Sequence, residues 1–131
     1  MSALPRNLFY AAAVLCLLGL LAHELVGAPM VLEPLENAGI PADIVWLHHF
    51  SWHVGSVAVA AMIAMFVMAG RKREHLILAG FATAISSGFA LLGIGLAIFG
   101  NSALWTTPAP YPWTLVAIIG CAGLAAARKT T

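Results

Sequence analysis

Four side chains able to bind a metal ion or move a proton, His23, Glu24, His49 and His53, fall in the first half of a chain that is otherwise mostly apolar. His49 and His53 stand at i and i+4, so on a helix they stack on one face, a spacing that chelates a single ion. His48 points about 100° away and stays outside the set. Imidazole suits zinc, copper, iron and nickel, and acidic neighbours commonly hold ligating imidazoles in place. The expected site is a transition-metal ion (Zn, Cu or Fe) bound by His23, His49, His53 and Glu24, with Asp43 as the other acid able to complete it.

The charge pattern points to the same region. No Lys or Arg lies between Asn7 and Gly70, yet Glu24, Glu33, Glu36 and Asp43 all do. Ionisable groups at membrane depth are costly and normally paired, so these acids need histidines, protons or a bound cation beside them. Three alternatives use the same residues. A b-type haem is held by His23 and a histidine further along, such as His53, with Gly27, Gly55 and Ser56 making room. Or the rings sit at the membrane interface, their tips in water or bonded to Glu24 and loop carbonyls. Or they titrate near neutrality and make the outer face pH-responsive.

Familiar catalytic patterns stop short. HELVG begins like a zinc-protease helix, but Gly27 stands where the second histidine belongs. A di-iron bundle needs several inward carboxylates, and Glu24 is the only acid expected within a span. Ser86 and Ser87 fall mid-span, too far from the histidines to pair with them, and are expected to bond back to their own helix or across to a neighbour. His75 sits beside basic residues and is expected to be solvated. Met62, Met65 and Met68 read as packing filler, and Cys16 and Cys121 as buried inert thiols. No catalytic residue is assigned, and whether the protein is an enzyme stays open.

Composition names the scaffold that must position these groups. The 131 residues are 62% hydrophobic and only 8% charged, with a mean hydropathy of +0.96. Soluble domains carry about 25% charged residues, so the apolar surface belongs in a bilayer. The expected fold is all-α, an integral membrane antiparallel four-helix bundle in one domain, with spans at about 8–26, 44–70, 76–99 and 112–127. Pro112 suits a first helical position. The Pro-rich segment between the first two spans is expected to be the longest loop. The start of the chain resembles a signal peptide, but Pro29 directly after the would-be cut hinders cleavage, so a retained helix is expected.

Arg6, Arg71, Lys72, Arg73, Arg128 and Lys129 all fall on one side of these spans. The positive-inside rule makes that side, with both termini, cytoplasmic. The four tryptophans fall near the other side, as an aromatic belt does. At about 1.5 Å per residue, His23 lies roughly 24 Å and His53 roughly 27 Å from the inner boundary. The two thus reach nearly one depth, at the outer edge of the hydrocarbon. Small residues along the spans, Gly88, Gly120 and Gly123 among them, are expected to let the helices approach closely.

His23 followed by Gly27, then Glu33-Pro34-Leu35, then Trp52-His53 with Ser56, resembles a His-x3-Gly … Trp-His-x2-Ser pattern in uncharacterised small bacterial four-span inner-membrane proteins. The resemblance covers roughly the first half of the chain, and it implies the fold and a bacterial inner-membrane location but no activity. The expected function is metal binding at the outer leaflet, for metal handling or metal-dependent chemistry. The alternative is a non-enzymatic accessory subunit, or a bundle binding b-type haem, a pigment or a quinone through His23 and His53. The expected partners are the lipid bilayer and a homo-oligomer or larger membrane complex. Nucleic acid is excluded, since the longest basic run is RKRE.

Overall fold

The computed structural model describes residues 2–129. Its first helix is longer than the sequence pattern suggests. Helix α1 (Ala3–Ala22) runs through a π-helical turn (His23–Gly27) into α2 (Ala28–Glu36), making one rod of 34 residues. Most of the segment expected as the longest loop is therefore helical. Proline interrupts helices because it lacks an N–H and its ring strikes the carbonyl four residues back. Here the Ala28 N–H donates to the His23 carbonyl five residues back, which widens the turn just before Pro29. Pro29 then stands in the first turn of a fresh α-helix, where a missing N–H costs least. The connection that remains is residues 37–41. Asn37 Nδ2 donates to the Glu33 carbonyl at 2.8 Å, and Gly39 takes a left-handed φ of 70°, open to glycine at little cost.

Helix α3 (Ala42–Arg71), a single 3₁₀ turn (Arg73–His75) and α4 (Leu76–Phe99) follow. A short 3₁₀ segment (Ser102–Thr106) leads to α5 (Tyr111–Arg128). Asn101 Oδ1 caps that segment by accepting from the Ala103 N–H at 2.9 Å. Four of these helical stretches are long and apolar enough to cross a membrane. At about 1.5 Å per residue the first rod is roughly 51 Å long and α3 roughly 45 Å. Both exceed the thickness of a hydrocarbon layer, about 30 Å.

Each spanning helix packs on two neighbours, in the order α1, α3, α4, α5 and back to α1. The core is built from Phe9, Ala12, Cys16, Met62, Phe66, Ala82 and Val116. Phe9 and Phe66 stack at 6.4 Å between centroids, which sets the start of α1 against the end of α3. Two glycines of α5 set the closest approaches. A Cβ on Gly123 would fall 2.6 Å from the Phe9 ring, and one on Gly120 would strike Thr83. Gly88 meets nothing within 4 Å, so only some of the small residues serve packing between helices. Ser86 and Ser87 each donate back to the carbonyl four residues earlier, at 2.9 Å. Of the three methionines read as filler, Met62 is fully buried and Met65 packs against the core, whereas Met68 is exposed. Cys121, expected to be buried, is exposed on the outer face of α5. The ends bearing Arg6, Arg71 and Arg128 gather at one end of the bundle, and the histidines of α1 and α3 at the other.

Candidate functional site

The π-turn decides what the histidine end can do. In a regular α-helix consecutive residues point about 100° apart, but here His23 and Glu24 both reach α3. The His23 ring stacks on Trp52 with centroids 3.9 Å apart and planes 9° from parallel. Its Nε2–H donates to the Trp52 carbonyl at 3.4 Å. In a neutral ring that tautomer leaves Nδ1 as the bare acceptor. Gly27 closes the turn against Trp52, since a Cβ there would sit 3.1 Å from the indole Cζ2. The indole Nε1 is buried and finds no acceptor among the described residues.

Glu24 turns to the other flank of Trp52. Its Oε1 accepts the Ser56 hydroxyl, and the Nδ1–H of His53 donates to the same oxygen at 3.3 Å. One turn further out, His49 Nε2 lies 2.9 Å from Glu36 Oε1. That nitrogen makes no aligned hydrogen bond, so the contact is one of charge, present when the ring is protonated. The His49 and His53 rings lie 6.4 Å apart.

The four residues singled out from sequence are thus brought to one end of the bundle as two imidazole–carboxylate pairs plus a stacked ring. Among the described residues, no three His, Cys, Asp or Glu side chains form a group that could hold a metal ion. His23 faces Trp52 rather than His53, which also separates the two histidines expected to flank a haem. His48 is exposed, and Asp43 in the first turn of α3 contributes no bond to the site. Ser56, Glu36 and Trp52 are partners that sequence reasoning names without assigning them a contact. Trp52 and Ser56 enter it through the Trp-His-x2-Ser pattern, and Glu36 as one of four acids needing a counter-charge. The one signal for Ser56 is its place three residues beyond His53.

Beside the stacked pair lies a cavity of about 340 Å³ between the helices, lined by His23 and Trp52 on one side and by Phe89, Trp113, Leu92 and Leu96 on the other. Phe89 and Trp113 meet edge to face at 5.3 Å. Leu104 and Ala109, from the connection between α4 and α5, also line it. A second hollow of about 350 Å³, lined by Trp105, Tyr111 and Ile118, lies between α4 and α5 and contains no imidazole or carboxylate. No protein-family model matches the chain, and neither the curated proteins nor the solved structures contain a match to it.

Proposed function

We propose that this is a small multi-pass protein of the bacterial inner membrane that binds an apolar, ring-bearing ligand of the quinone or pigment class at its outer-leaflet end. One observation carries the reading: the aromatic cavity beside the His23–Trp52 stack. Ligand sites are typically concave, mostly apolar and about 300–1,000 Å³, with a few polar groups fixing orientation. At about 340 Å³ this cavity suits a single substituted ring and is small for a macrocycle, which favours a quinone-like head over haem. His23 Nδ1 is the polar group for that head, as an acceptor. The basic end, and with it both termini, faces the cytoplasm on the strength of the lysine and arginine distribution.

A second reading, a transition-metal ion (Zn, Cu or Fe) held by His49, His53 and Glu24, requires these side chains to rearrange, since no three of them form such a group among the described residues. The His49 and His53 rings, 6.4 Å apart and tilted by 47°, are the pair from which such a site would be built, and the engagement of His23 with Trp52 weighs against a fourth ligand from α1. Either reading suits a protein acting alone, as a homo-oligomer, or within a larger membrane complex.

Both are tested on protein purified in mild detergent, by organic extraction with mass spectrometry and by metal analysis of one sample. A co-extracted quinone or pigment, lost in His23→Ala, supports the first reading. About one equivalent of metal, lost in His53→Ala, supports the second. Protein that carries neither, and that takes up neither on reloading, overturns both.

A further inference from the structure

The cavity has a side door. On α3 the residues that hold Glu24 and Glu36 (His49, His53 and Ser56) face α1. At about 100° per residue, the face turned towards α4 in the same half carries Ser51, Gly55 and Ala58, spaced four and three apart. All three are small. Gly55 lines the cavity, and a Cβ on it would meet nothing within 4 Å.

The opposing face of α4 shows the same opening from the other side. Leu78 and Ile85, nearer the basic end, are half-buried where they face α3, and so is Phe89. Further along that face Leu92 is 60% and Leu96 50% exposed, although both line the cavity. The two helices are held close at the basic end by the single 3₁₀ turn (Arg73–His75). Towards the histidine end the cavity lies between them, and Ser51, Gly55 and Ala58 on this face of α3 are too small to fill it. Leu104 and Ala109, from the connection between α4 and α5, line the cavity as well. At the depth worked out for His23, roughly 24 Å from the inner boundary, the gap between α3 and α4 opens onto lipid rather than water.

We infer that the cavity is loaded sideways from the outer leaflet, through the cleft between α3 and α4. Its ligand is then a lipid-dissolved molecule whose ring lies against His23 and Trp52 while its hydrocarbon tail rests in the cleft between Gly55 and Leu96. This rests on the cavity being the ligand site. It adds the ligand's tail, its phase and its route, none of which a water-borne ring compound would share.

The test uses two probes with one head, a tail-less dimethoxy-methyl-benzoquinone and its decyl-tailed form. Their binding is read by tryptophan quenching in lipid nanodiscs and corrected for each probe's partition into the lipid. Ser51→Phe and Ala58→Leu narrow the cleft without lining the cavity. After correction, the tailed probe binds wild-type protein at least tenfold more tightly than the tail-less one. Both variants lose most of that advantage and keep their affinity for the tail-less head. If the two probes bind wild type equally, or the advantage survives in a variant that folds as wild type by circular dichroism, lateral loading is overturned while the cavity reading stands. If neither probe binds wild type, the cavity reading itself fails, and lateral loading with it.

Discussion

The bond from Ser56 to Glu24 joins residues 32 positions apart and ties the π-turn to α3. Its strength can be worked out before it is measured. A hydrogen bond to a charged group is worth about 1.5–3 kcal/mol net. Bonds between membrane helices average only about 0.6 kcal/mol, because the separated helices find other partners. The Glu24 side chain is 32% exposed, so water competes and the upper range does not apply. A coupling of about 1 kcal/mol is expected between Glu24→Ala and Ser56→Ala. Unfolding in mixed micelles of rising SDS fraction, followed by far-UV circular dichroism, gives the four corners of the cycle. The His53–Glu24 contact is lost in both Glu24 variants and cancels. Glu24→Gln, which still accepts from the hydroxyl, should retain part of the coupling. Additivity within about 0.3 kcal/mol would mean that the two side chains do not interact, and that the π-turn is held by something else.

Two further substitutions probe the packing around the site. Gly27→Leu places a side chain where a Cβ alone already falls 3.1 Å from Trp52. The indole should be driven off His23, shifting tryptophan emission and weakening quinone binding at least tenfold, with helix content retained. Gly123→Leu overpacks Phe9 at the basic end, where the Cβ would lie 2.6 Å from the ring, and should destabilise the bundle by about 1–3 kcal/mol in the same SDS titration. It should leave binding per folded molecule unchanged.

The scaffold is legible because hydropathy and helix rise are local properties. Four apolar runs, a tight basic turn and a one-sided distribution of Lys and Arg need only composition and spacing. The fourth span, expected at 112–127, is observed as Tyr111–Arg128, and the third, expected at 76–99, matches Leu76–Phe99. The first span is longer than expected because Pro29 and Pro34 read as breakers. Pro34 stands inside α2, and Pro29 follows a turn relaxed to π; whether one turn relaxes to π depends on what the displaced groups gain elsewhere. Here His23 and Glu24 gain Trp52, Ser56 and His53, all on another helix.

By itself, the sequence determined that the protein is all-helical, that four helices are long and apolar enough to span a membrane, and that the imidazoles and acids gather near one end. Only the tertiary structure decided which of them meet. His23 is 29 residues from its ring partner Trp52, and a choice among several nearby acids and rings depends on helix rotation, which the spacing of residues along one helix does not set. The cavity, and its opening between α3 and α4, are likewise products of which helix faces meet. Each helix carries only half of the gap, and neither half is visible until the two stand side by side.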